Sequence, residues 1–134
     1  MVDPITCHIL DTTLGKPASN VIVQLYHVSD TSETAKIQQF AISRTDNDGR
    51  IKNWTFDQNN ADNEKYGIQG NQWVKLVPGV YKIKFLTGKY FINQNNNRTF
   101  FPYVEIIFQV DDPDEHYHIP LLLSNHSYTT YRGS

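Results

Sequence analysis

The sequence predicts an all-β fold: a two-sheet antiparallel β-sandwich of seven or eight strands with one short helix. Three observations carry this. Aromatic residues reach 13%, with eight Tyr and seven Phe, side chains that favour strands. Apolar and polar residues alternate in several separate stretches. Turn signals built from Gly, Pro, Asp and Asn recur at roughly 8–15-residue spacing. The 134 residues suit a single domain, 1–134, around one core.

The first strand is 5–11 (ITCHILD), with Ile5, Cys7 and Ile9 on one face and Thr6, His8 and Leu10 on the other. Gly15-Lys16-Pro17 turns the chain. Residues 20–28 (NVIVQLYHV) are β-branched and form the second strand. Polar residues 29–36 connect it to a third at 37–45. Asp46-Asn47-Asp48-Gly49 is a strong turn signal, and Arg50 opens a short strand directly after it. Residues 57–76 lack periodicity and collect Asn, Asp, Gln and Gly, which reads as a long surface excursion. Val77-Pro78-Gly79 turns into 80–86, where Tyr81, Ile83 and Phe85 alternate with Lys82 and Lys84. Residues 88–94 have room for one or two helical turns, and 93–97 (NQNNN) is a polar loop. In 103–110, Val104, Ile106, Phe108 and Val110 share a face. Asp111-Asp112-Pro113-Asp114 is the next turn, followed by strands at 115–124 and 127–132.

Lys+Arg is 12 and Asp+Glu 14, a net charge of −2, which argues against a nucleic-acid partner held through phosphates. No run approaches the ~18 apolar residues of a membrane span. Met1 to Pro4 show no basic segment leading into an apolar one, so no signal peptide is expected. The lone Cys7 excludes an internal disulfide and a Cys-rich zinc site, and fits a reducing compartment. On the apolar face it reads as a packed thiol and not a nucleophile. There is no phosphate-binding glycine loop, no Gly-x-Ser-x-Gly elbow and no His-Glu-x-x-His.

The strand at 115–124 says most about chemistry. Tyr117, Ile119, Leu121 and Leu123 share the face that must meet the core. His116, His118, Pro120 and Leu122 therefore point outward. By the same alternation His8 points outward from the first strand. His116-Tyr117-His118 has the spacing of a strand-borne metal pair, yet no Asp, Glu or Cys is placed beside it by alternation, and solvated imidazoles are the simpler reading. Asp48-Gly49-Arg50 by itself is a turn with a solvent-facing arginine. It gains meaning only if Arg50 reaches the histidines, because a guanidinium offers planar donors to an amide-like ligand. Tyr131-Arg132-Gly133-Ser134 either frays or docks, and a strand pattern running up to it favours docking.

Residues 6–18 (TCHILDTTLGKPA), 45–50 (TDNDGR), 116–124 (HYHIPLLLS) and 127–134 (SYTTYRGS) resemble, in order, the signatures of the transthyretin-related proteins. The last two are specific; the Asp-Gly-Arg turn alone is not. The hormone-carrier branch lacks the histidines, the turn arginine and the Tyr-Arg-Gly-Ser end. The enzyme branch, 5-hydroxyisourate hydrolase, has them, and this chain, with His8, Arg50, His118 and Tyr131 to Ser134, is similar to that branch. Two departures stand out. Asn125-His126 replaces a Pro-aromatic pair, and 57–76 is longer than the family's loop, expected on the exterior away from the site.

The resemblance implies a homotetramer with sites in a central channel where subunits meet. It implies hydrolysis of 5-hydroxyisourate to 2-oxo-4-hydroxy-4-carboxy-5-ureidoimidazoline in urate degradation, without metal or cofactor. His118, helped by His8, would move protons; which of the two is the base stays open. Arg50 and Arg132 would clamp substrate oxygens, and Tyr131, Gly133 and Ser134 would shape the pocket, Ser134 with its terminal carboxylate. The expected compartment is the cytoplasm, with the peroxisome as the other possibility although Arg-Gly-Ser is not a Ser-Lys-Leu-type signal. The alternative function is a non-catalytic carrier of small planar ligands in the same channel. A β-sandwich adhesion or carbohydrate-binding module is a third reading, hinted at only by Trp54 and Trp73 as exposed loop aromatics.

Overall fold

The computed structural model describes residues 2–29, 32, 34–94 and 98–134. Part of the polar loop expected at 93–97, namely 95–97, and positions 30, 31 and 33 of the 29–36 connection lie outside the described residues. In chain order the described elements are β1 (Ile5–Asp11), β2 (Lys16–Pro17), β3 (Ile22–Val28), β4 (Ile37–Arg44), β5 (Arg50–Ile51), β6 (Thr55–Phe56), β7 (Ile68–Gln69), β8 (Gln72–Trp73), β9 (Gly79–Phe85), α1 (Thr87–Asn93), β10 (Val104–Val110), β11 (Tyr117–Leu123) and β12 (Tyr128–Thr130). The long strands sit where alternation predicts them. The extra ones are pairs of residues, too short to carry a period of two.

One sheet runs β12-β11-β1-β2, with β5 also on β1; the other runs β10-β9-β3-β4-β6. Pairing is antiparallel except between β1 and β11, which run parallel, Ile5 beside Tyr117 through Asp11 beside Leu123. A parallel pair needs a long crossover, and here nearly the whole chain intervenes. The core lies between the sheets: Ile5, Cys7, Ile9, Ile119 and Leu121 from the first, Val23, Leu25, Tyr81, Ile83 and Phe85 from the second. Each such fully buried aliphatic or aromatic side chain contributes roughly 1.5–3 kcal/mol. At one end of β1, buried Asp11 accepts the N–H groups of Thr13 and Leu14 and the Tyr90 hydroxyl of α1 at 2.7 Å. This locks the turn that follows β1.

Two sequence expectations need correction. Residues 57–76 are not a loose surface excursion. They contain the β7–β8 hairpin, and Ile68, Trp73 and Leu76 are buried in the core cluster. Trp73 meets Phe40 and Phe56 edge-on, while Tyr66 stacks on buried His27 at 3.3 Å. The segment thus packs its aromatic residues against β3, β4 and β6. Nor are the tryptophans exposed binding aromatics. Trp54 is 4% and Trp73 8% exposed, and the Trp54 indole N–H donates to the Ile5 carbonyl at 2.8 Å. The carbohydrate-module reading loses its only support.

Candidate active site

The parallel register sets Thr6 beside His118 and His8 beside Pro120. The short β5 pairs antiparallel on the other edge of β1, setting Arg50 beside His8. Strand alternation turns Thr6, His8 and His118 to the outer face. The 46–49 turn delivers Arg50 there. Asp46 accepts the N–H groups of Asp48 and Arg50 through Oδ1, and Gly49 holds φ at +73°. A side chain at Gly49 would also meet the Ile9 carbonyl oxygen at 2.5 Å, so only glycine lets this turn lie against β1.

The His8 and His118 rings lie 6.3 Å apart, nearly parallel. Beside them, Thr6, Arg50, Lys52, His116, His118 and Ser134 line a cavity of about 210 Å³. Partial burial depresses the His8 pKa, and the Arg50 charge depresses it further. Burial likewise lowers that of His118, with added contributions from His8, Arg50 and His116. A cationic neighbourhood disfavours a second positive charge, so both imidazoles are held toward the neutral, basic form. Burial pushes the Cys7 thiol up, which leaves it protonated and inert.

The terminal motif divides. Gly133 N–H donates to the His118 carbonyl at 2.9 Å, forming an isolated bridge, and Ser134 lines the cavity. Between that bridge and β12, the register brings Pro120 opposite Tyr131, and proline has no N–H to give; the ladder lapses there. Tyr131 is exposed. Arg132 is not in the cavity with Arg50. Its guanidinium pairs with Glu115 and lies 4.8 Å from the Tyr117 ring centre. Tyr131 and Arg132 instead border a second cavity of about 220 Å³, which His118 also borders. β12 itself is exposed along its length. Thus His8, Arg50, His118, Gly133 and Ser134 come together in the single chain, while Tyr131 and Arg132 stand on the far side of His118.

Sequence reasoning left two residues without a role. The Thr6 hydroxyl is 2.8 Å from His116 Nε2 and 2.7 Å from His118 Nδ1. One nitrogen of each ring in the His-x-His pair therefore faces this hydroxyl. No group of three His, Cys, Asp or Glu suited to a metal occurs among the described residues. Alternation already placed Thr6 on the His8 face; its neighbour His118 follows only from the long-range parallel register. The 57–76 segment also comes closer than expected. Trp73 to Leu76 line a cavity of about 430 Å³ whose other wall includes His116.

Two neutral imidazoles and a guanidinium on one open face are the groups that acid–base attack on a carbonyl requires. The fold and site define a two-sheet β-sandwich that carries a histidine–arginine site on the outer face of one sheet. Residues 5–133 match the model of the HIUase/Transthyretin family, and the chain belongs to that family. It is 40% identical over 131 residues to the 5-hydroxyisourate hydrolase of Salmonella dublin, covering 97% of this chain and 80% of that one. The solved 5-hydroxyisourate hydrolase of Klebsiella pneumoniae superposes with a TM-score of 0.67 at 27% identity, over 97% of this chain and 92% of that one. Transthyretin from Sparus aurata superposes with 0.71 at 27% identity, over 97% and 96%.

Proposed function

We propose that this chain hydrolyses 5-hydroxyisourate, opening the ring at its cyclic amide carbonyl to give 2-oxo-4-hydroxy-4-carboxy-5-ureidoimidazoline, a step of urate degradation. The observation that carries the reading is the pair of pKa-depressed imidazoles, His8 and His118, on one face with Arg50. The names of the similar chains support it. His118, helped by His8, takes a proton from the attacking water and returns one to the ring nitrogen as it leaves. Arg50 stabilises the oxyanion that develops between those steps. Gly133 and Ser134 close the site beside His118. Arg132, tied to Glu115 and Tyr117, acts in this reading by fixing the terminal segment, and Tyr131 shapes the neighbouring wall.

Homotetramer assembly completes the site. The outer face presents Leu10 and Leu122 beside the histidines, with exposed Tyr128 and Tyr131 at its edge, apolar surface of the kind subunits cover. The buried, uncrosslinked Cys7 suits the cytoplasm. No helix among the described residues is long and apolar enough to cross a membrane.

The carrier reading draws on the same fold, since a transthyretin superposes as well as a hydrolase does. The two separate by stoichiometry. The protein is mixed with a hundredfold excess of 5-hydroxyisourate made in situ from urate. The hydrolase consumes the whole excess well ahead of spontaneous decay; a carrier removes one equivalent per site at most and leaves the remainder decaying at the uncatalysed rate.

A further inference from the structure

A buried hydroxyl sits between two imidazoles. Thr6 is 5% exposed and reaches both His116 Nε2 and His118 Nδ1. It has one proton. It therefore donates to one ring and accepts from the other, which fixes their tautomers jointly. If His118 Nδ1–H donates to Thr6, the Thr6 hydroxyl donates to His116 Nε2, and His118 Nε2 is bare and basic. In the opposite sense, Thr6 donates to His118 Nδ1, and His118 Nε2 carries a proton ready to give.

We propose that Thr6 is a positioning residue that wires His118 to the exposed His116, so that a proton taken up at His118 is passed outward as charge. The inference rests on the hydrolase reading only for the source of that proton. The transfer balances. A proton arrives on His118 Nε2; the Nδ1 proton moves to the Thr6 oxygen; the Thr6 proton moves to His116 Nε2. His118 ends neutral and proton-donating at Nε2, and His116 ends as imidazolium. The reverse shift returns a proton to His118 Nδ1 as the leaving nitrogen takes the one on Nε2, which restores the start without leaving an imidazolate. The surroundings favour this division. His118 faces His8 from β1, Arg50 from β5, Lys52 across the cavity and Arg132, itself paired with Glu115, on the other side. A positive charge kept on His118 would meet those cations in a half-buried place. On exposed His116, which follows Asp114 and Glu115 in the chain, the same charge is hydrated.

The test uses the full chain with Thr6→Val, Thr6→Ser, His116→Asn and the Thr6→Val/His116→Asn double variant. The wire predicts that Thr6→Val lowers kcat by at least about tenfold, within the range for acid–base assistance, with KM changed less than about twofold. Thr6→Ser restores most of kcat. His116→Asn, a change at an exposed position, gives a loss similar to Thr6→Val, and the double variant is no worse than either single one. Imidazole NMR without substrate reads the wiring directly. In the wild type the titrations of His116 and His118 are coupled; Thr6→Val uncouples them and Thr6→Ser does not. Unchanged coupling in Thr6→Val overturns the wire, as does a Thr6→Val enzyme with wild-type kcat. A wild-type protein that does not hydrolyse 5-hydroxyisourate overturns the hydrolase reading alone, and the NMR titrations still decide the wire.

Discussion

Replacing Gly133 by alanine places a methyl group where His118 already stands. A Cβ there would lie 2.7 Å from His118 Cδ2, 3.0 Å from Pro120 Cγ and 3.1 Å from the His118 carbonyl oxygen. Ordinary contact begins near 3.4 Å, so the ring or the terminal segment must move by about 0.7 Å, the difference from the shortest approach. Either movement disturbs the packing of the terminal segment against His118, the imidazole proposed to activate the water. A misplacement approaching 1 Å costs up to ~100-fold, which gives an expected 10–100-fold loss of kcat/KM, about 1.4–2.7 kcal/mol of transition-state stabilisation. Stability should barely change. The 131–134 segment holds to the sheet by one backbone bridge and the solvent-exposed Arg132–Glu115 pair, and it buries no large apolar side chain. The assay is initial-rate hydrolysis of 5-hydroxyisourate beside a thermal melt, at equal folded concentration. A Gly133→Ala protein with wild-type kcat/KM would refute the placement of Gly133 against a working His118.

Arg50→Glu should reduce turnover by about 10²–10³-fold while leaving the melt unchanged, since Arg50 is exposed; near-wild-type rates would remove it from the site. Removing Arg132 to Ser134 should lower activity by a comparable factor and Tm only modestly, read by the same two measurements. His27, stacked between Phe40 and Tyr66, has its pKa pushed down to about 3 by burial and then by Lys65. The unfolded chain takes up a proton below about pH 6.5 that the folded one refuses until about pH 3. Stability should thus fall by about 1.4 kcal/mol per pH unit as the pH drops through that window. Denaturant titrations of wild type and His27→Phe from pH 7 to 4 should show the slope reduced in the variant. Sedimentation should give a mass near four chains, and an active monomer would contradict the assembly.

The sequence exposed the face of His8 and His118 because large apolar residues at period two leave their neighbours only the outward side. Arg50 was legible through the turn before it. The Thr6–His116–His118 contact was not, because it depends on a parallel register between opposite ends of the chain. The role of 57–76 stayed hidden for a different reason: Ile68, Trp73 and Leu76 are isolated among polar residues and show no period, yet each is buried. Arg132 was placed on the substrate by motif alone. Its pairing with Glu115 arises because the terminal segment folds back along β11, past the turn that carries Glu115.

The measurement that bears most directly on the central claim is the loss of 5-hydroxyisourate, made in situ from urate, followed in parallel with wild type, His118→Asn and no protein. Wild type should clear the substrate far faster than spontaneous decay. His118→Asn, folded by its melt, should lie at least about 100-fold lower, the cost of losing a proton-transfer group. A wild-type trace that matches the protein-free one, or a His118→Asn trace that matches wild type, would contradict the account.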